Sequence, residues 1–247
     1  MIDFHGGYGV TLFGYKNPYL IEKAMTFLQN DSFYVSLPSM KMIDLSNKLA
    51  KTFGLPYWRY LNSGTEATLD AIRLARARTN TRPYIIKVES GYHGHHDTVW
   101  VSVHAGARET TSSSSNSDDH DNNSDVHDIP RIPFCTGIPT DVSNLTLIAE
   151  YNNIDSIKYL IAKYPDLIAG VIVEPILLNC SMIKPKDGFL QQLIEISRAN
   201  NMVVIFDLVK INTAINIKHV MQYWSYESVG PDMYTLGKGL AGTKYIH

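Results

Sequence analysis

Four short apolar runs, each closing on a polar or charged stretch, constrain the fold of this chain more than any other feature. They are Tyr84 to Val88 (YIIKV), Ala169 to Val173 (AGVIV, then Glu174-Pro175), Met202 to Phe206 (MVVIF, then Asp207) and Met233 to Leu236 (MYTL, then Gly237-Lys238). Their length and composition predict buried strands. Ordered structure is expected to return at Leu145 to Tyr151, and short strands are expected at Trp58 to Leu61 and at the start of residues 2–14, before glycine-rich turns. Amphipathic helices are predicted over 18–29, 40–53, 153–163 and 188–199. In LNSGTEATLDAIRLAR (61–76), Ala67, Ala71, Leu74 and Ala75 fall on one face of another helix, with Asp70 and Arg73 at a pairable spacing. Strands alternating with helices predict an α/β domain, a mainly parallel central sheet with helices on both faces. Ligands in such sheets collect beyond the carboxyl ends of the strands. Those ends here carry Ser63-Gly64-Thr65, Tyr92-His93, Glu174, Asp207 and Lys238.

Charge decides several function classes. Lysine plus arginine number 22 against 24 aspartates and glutamates, well mixed, so no nucleic-acid or membrane-surface footprint is present. The two cysteines, Cys135 and Cys180, form no CxxC and suit a reducing compartment. No apolar run is long enough to span a bilayer, and the N-terminus has no signal or transit character, so a cytoplasmic protein is expected. Residues from about 107 to 129 are almost free of apolar side chains and rich in Ser, Asp and Asn. That composition predicts a low-complexity, disordered surface insertion.

The chemistry is read from the strand ends. The turn at Ser63, Gly64 and Thr65 leads straight into a helix, where free N–H groups and the positive helix end suit an anion. Taken alone, a capped helix start with no ligand is the favoured reading. Asp207 at the lip of a buried strand needs a cationic or hydrogen-bonding partner. Lys238, between two glycines, is placed to lose its proton and act as an amine nucleophile. A structural bridge between Asp207 and Lys238 explains the two residues equally well. An anion cradle, a reactive lysine and a lone carboxylate together match what pyridoxal 5'-phosphate demands, with Tyr92 stacked on its ring. A metal site at His93, His95, His96 and Asp97 is not expected, because neighbouring ligands in one loop seldom close a coordination sphere.

The motifs NSGTEAT (62–68) running into AIRLAR (71–76), YHGHHD (92–97), VEP (173–175) continuing to IKP (183–185), and TLGKGLAG (235–242) occur in an order that resembles the class III pyridoxal-phosphate aminotransferases. Within them the chain is most similar to the glutamate-1-semialdehyde aminomutase group. The resemblance implies the large domain of fold type I, spanning 1–247. It implies that Ser63, Gly64 and Thr65 bind the cofactor phosphate, and that Tyr92, with His93 beside it, stacks on the ring. Asp207 then holds the pyridine nitrogen, Val209 lies on the other ring face, and Lys238 forms the Schiff base and moves the substrate proton. Glu174, as a pocket residue, and Asn179 fall near the ring hydroxyl. The implied partners are a small amino or keto substrate and a second subunit of a homodimer.

Three departures from the family pattern qualify that inheritance. Asp207-Leu208-Val209-Lys210 followed by INTAINIK replaces the usual Asp-Glu-Val and Thr-Gly-Phe-Arg segments, so the loop beside the cofactor is expected to be repacked. The family's N-terminal segment is absent before Ile2. The chain stops nine residues after Lys238, without the C-terminal small domain and its cross-subunit phosphate contact. The chain is thus read as a truncated domain. Pyridoxal-phosphate-dependent amino-group transfer, of transaminase or aminomutase type, is the leading function. The rival is a non-catalytic relative that binds the cofactor or a partner without turnover.

Overall fold

The four apolar runs and a strand within 145–151 form one parallel sheet in the computed structural model, which describes residues 2–30, 37–103, 128–213 and 230–241. The strands are β1 (Tyr84–Val88), β2 (Thr146–Ala149), β3 (Ile168–Val173), β4 (Val203–Asp207) and β5 (Met233–Thr235), in spatial order β2-β1-β3-β4-β5. Every pairing is parallel. The helices are α1 (Pro18–Asn30), α2 (Met40–Phe53), α3 (Gly64–Arg78), α4 (Thr140–Ser143), α5 (Ile154–Lys163) and α6 (Phe189–Ala199).

The chain divides into two units. One holds the sheet and comprises Ser63–Leu208 with Glu227–Thr235. All residues of β2, β3 and β4 are buried, as expected of a parallel sheet covered on both faces. Helix α3 packs on β3, β4 and β5, while α5 and α6 pack on each other and on β2 and β4. Gly170 is required where β3 meets β4, because a methyl group there would collide with the Val203 carbonyl. The other unit comprises Met1–Asn62, Val209–Tyr226 and Leu236–His247 and contains α1 and α2. Helix α2 starts on Ser39, whose hydroxyl accepts from the Met42 N–H, and ends on Gly54 in the left-handed conformation.

Three expectations are corrected. The buried stripe of α3 is Thr68, Ala71, Ile72 and Ala75, and Leu74 is 53 % exposed. The stripe is turned one position because Ile72 packs with Ala71 and Ala75 against the sheet and Thr68 is buried under the 91–97 loop, while Leu74 points outward. Trp58 to Leu61 form no strand. Their side chains are committed locally: Trp58 packs edge-on against Phe53 and donates to the Leu55 carbonyl, and the Tyr60 hydroxyl meets that of Ser46. The expected N-terminal strand is likewise missing among residues 2–14, where the Asp3 carboxylate accepts from the N–H groups of His5 and Gly6 and from the Tyr15 hydroxyl. That local capture bends the backbone into a 3-10 turn at Gly6–Gly9.

The predicted insertion lies outside the described residues except at its end, where Asp128 pairs with Lys163 and Ile129 is buried against Val101 and Ile148. No helix among the described residues is long and apolar enough to cross a membrane.

Candidate functional site

The sheet unit brings eight of the ten predicted site residues to the carboxyl ends of its strands and to the start of α3. Ser63 caps α3, its hydroxyl accepting from the Glu66 N–H at 3.1 Å. The N–H groups of Gly64 and Thr65 lie in the first turn, where a helix offers no internal acceptor. A helix of 15 residues adds the positive end of its dipole. Such a helix start can receive an anion.

The loop after β1 carries Tyr92 and His93. His93 is fully buried, and its Nδ1 lies 2.8 Å from Oδ2 of Asp207, the last residue of β4. Asp207 Oδ1 accepts from the Thr235 hydroxyl of β5 at 2.8 Å. A carboxylate facing Nδ1 selects the tautomer with its proton on that nitrogen. Tyr92 is 40 % exposed. Its backbone N–H donates to Glu174 Oε1 at 3.0 Å, and the Asn179 amide donates to the same oxygen at 3.3 Å. Burial holds the Glu174 carboxyl above the usual carboxylate range; the charge on Asp207 acts in the same sense and His93 opposes it. Burial also raises the Tyr92 hydroxyl. Tyr92, His93, Glu174 and Asp207 are therefore one coupled cluster.

Two residues without an assigned role in the sequence tie this cluster to the anion turn. Thr68 Oγ1, almost fully buried, lies 2.6 Å from the His93 carbonyl, 3.3 Å from His96 Nε2, and within 3.1 Å of the Gly64 and Thr65 carbonyls. A hydroxyl has one proton, and the His93 carbonyl is its best-placed acceptor. Gly94, at φ +96, passes so close that a methyl group there would lie 2.8 Å from Thr65 Oγ1 and 2.9 Å from Thr65 Cα. His95 Nδ1 approaches the Thr65 hydroxyl at 3.2 Å. Burial lowers the His96 imidazole to about 4, so it meets Thr68 as a neutral ring. The histidines thus serve the loop's attachment to α3. Among the described residues no group of three or more His, Cys, Asp or Glu side chains is arranged to hold a metal.

Replacing Thr68 by valine should lower stability by about 1–3 kcal/mol, because the buried His93 carbonyl loses its donor. Urea denaturation measures this, and Thr68→Ser should restore most of the loss; equal stability of all three chains would contradict the role.

Val209 and Lys238 belong to the other unit. Lys238 opens a 3-10 turn, Lys238–Ala241, with φ +52, a left-handed conformation that costs a non-glycine residue about 1–2 kcal/mol. A methyl group at Gly9 would lie 3.9 Å from Lys238 Cδ, so the lysine stem runs past the Gly6–Gly9 turn. A different lysine, Lys87, lies fully buried in β1 and donates to the carbonyls of Val101 and Ser102 at 2.7 and 3.3 Å. Burial lowers it to about 7.

With this geometry in view, the family is plain. A family model described as aminotransferase class-III matches residues 1–247, and the chain belongs to that family. Glutamate-1-semialdehyde 2,1-aminomutase from Methanosphaera stadtmanae is 36% identical over 242 residues, covering 98% of this chain and 51% of that protein. The protein of the same name from Hyperthermus butylicus is 34% identical over 245 residues, with coverages of 98% and 51%. The chain spans about half the length of these curated relatives. Among solved structures, an omega-transaminase from Sphaerobacter thermophilus overlays with TM-score 0.78 at 29% identity, over 97% of this chain and 50% of that one. A glutamate-1-semialdehyde-aminomutase from Pseudomonas aeruginosa PAO1 shares the fold at TM-score 0.73 and 24% identity, over 96% of this chain and 46% of that one. The expected α/β fold, that of type I, is the one these neighbours share.

Proposed function

We propose that the chain binds pyridoxal 5'-phosphate and moves an amino group on a small amino or keto substrate, most nearly as glutamate-1-semialdehyde aminomutases do. The observation that carries this reading is the double attachment of the 91–97 loop. One side of it engages the Asp207 carboxylate through His93, and the other packs on the anion-ready start of α3 through Thr68 and Gly94. The residues fit the group: first-turn N–H donors for a phosphate, a buried carboxylate for a ring nitrogen, and a part-exposed tyrosine for a flat face.

Bound there, the cofactor supplies an aldehyde carbon that takes up an amine and a conjugated ring that accepts the electrons left when a substrate proton departs. Ser63, Gly64 and Thr65 would hold the phosphate. Asp207 would keep a proton on the ring nitrogen, with His93 and Thr235 fixing the carboxylate's orientation. Tyr92 and Val209 would hold the ring between them, and Glu174 with Asn179 would hold the Tyr92 backbone. Lys238 would anchor the cofactor covalently, and its freed Nζ would move the proton at the substrate's amine-bearing carbon.

The sequence similarity to proteins named as aminomutases favours transfer within one molecule over transfer between two. Turnover of glutamate-1-semialdehyde, compared with amine and keto-acid pairs, separates the two. Cofactor bound without turnover of either would place the chain with the non-catalytic alternative. A homodimer fits the apolar side chains exposed on α1 and α2, among them Ile21, Met25, Leu28, Met42, Ile43 and Leu45. A single-chain mass in sedimentation at micromolar concentration would count against it.

A further inference from the structure

The segment after Asp207 is where this chain departs from the family pattern, and its backbone has a specific anchor. Asn212, in the 3-10 turn Ile211–Thr213, is 2 % exposed. Its Nδ2 donates to the Val209 carbonyl at 3.0 Å and to the Gly237 carbonyl at 3.1 Å. A carboxamide nitrogen carries two protons, so both are used. The Gly237 carbonyl also accepts from the Leu240 N–H at 3.2 Å, which closes the turn that Lys238 begins. Gly237 immediately precedes Lys238, and Lys238 sits in the left-handed conformation at φ +52. A strained residue of this kind persists only where its surroundings over-determine it.

We propose that Asn212 is a positioning residue for Lys238. By holding the Gly237 carbonyl against the Val209 carbonyl through one buried amide, it fixes the backbone from which the lysine stem departs. It thereby sets the direction in which Nζ meets a carbonyl carbon. The proposal rests on the reading of Lys238 as the cofactor lysine. The loop after Asp207 thus carries a side-chain clamp directed at the lysine turn.

The test uses the full chain with pyridoxal phosphate as the probe, comparing wild type, Asn212→Ala and Asn212→Asp. Asn212→Ala removes both donors; Asn212→Asp keeps the shape but sets a carboxyl, with at most one O–H, against the two carbonyls, so it should loosen the turn at least as much. Without cofactor, hydrogen exchange at the Leu240 amide should quicken in both variants while thermal melting keeps its single cooperative transition. With cofactor, half-saturation for borohydride trapping on Lys238 should rise about fivefold to tenfold, the effect expected from the one of the two lost bonds that reaches the Gly237 carbonyl. At saturating cofactor, the pH midpoint of the visible band should move toward that of pyridoxal phosphate mixed with butylamine, since a released lysine behaves as a simple alkylamine. Unchanged half-saturation and midpoint, with wild type trapped on Lys238, would overturn the positioning role. Wild type trapped on another lysine would instead overturn the reading on which it rests.

Discussion

Changing Asp207 to asparagine should lower the amino-transfer rate by on the order of 10²–10³-fold, the usual cost of removing one aligned electrostatic group from a transition state. The substitution isolates charge from structure. Asp207 takes one bond from His93 Nδ1 and one from the Thr235 hydroxyl. A carboxamide can keep both, because its oxygen accepts from His93 while the Thr235 hydroxyl rotates to accept from its nitrogen. The melting temperature should therefore change little, and the deficit should fall on catalysis and on cofactor affinity. Stopped-flow absorbance of the loaded chain with an amine donor measures the rate. A rate equal to wild type would remove Asp207 from the chemistry.

The second large effect is expected at Gly94. An alanine there must hold φ near +96, at about 1–3 kcal/mol. Its methyl group must also displace Thr65 backbone and hydroxyl atoms lying 2.9 and 2.8 Å away. Overpacking against backbone adds about 1–3 kcal/mol more. For a chain of this size each kcal/mol lowers the melting point by about 2–4 °C. The displaced loop also carries Tyr92 and His93, so affinity for pyridoxal phosphate should fall together with stability. Gly137→Ala is the control, since a methyl group there meets only Cys135 Sγ at 3.9 Å. If Gly94→Ala melts and binds like Gly137→Ala, the loop is not seated on α3 as described.

Much of the sheet was legible because its signals are local. MVVIF and AGVIV declare buried strands by composition, and the polar turn at Ser63 declares a helix start by its capping oxygen. The place of Asp207 at the end of its strand was legible for the same reason. Trp58 to Leu61 misled because an apolar, aromatic run does not reveal whether its side chains go to a sheet or, as here, to the end of α2. Thr68, Gly94 and Asn212 were not legible as anchors, because each acts through a partner 25 to 29 positions away: the His93 carbonyl, the Thr65 backbone and the Gly237 carbonyl. Nothing local distinguishes such a threonine from a helix-surface one. Lys87 shows the same limit. Its strand was read correctly, yet the carbonyls that accept from its ammonium group, Val101 and Ser102, come from a separate loop.

Lys87 also sharpens the decisive measurement. Among the described residues, Lys87 is lowered to about 7 but sealed in the sheet unit, whereas Lys238 begins a strained turn after β5. The full chain, loaded with pyridoxal phosphate and reduced with borohydride, can be digested and its peptides weighed. The expected result is one phosphopyridoxyl group on Lys238, absent from a Lys238→Ala chain together with the visible absorbance band. Label on Lys87, or label scattered over surface lysines and undiminished in Lys238→Ala, would contradict the account at its centre.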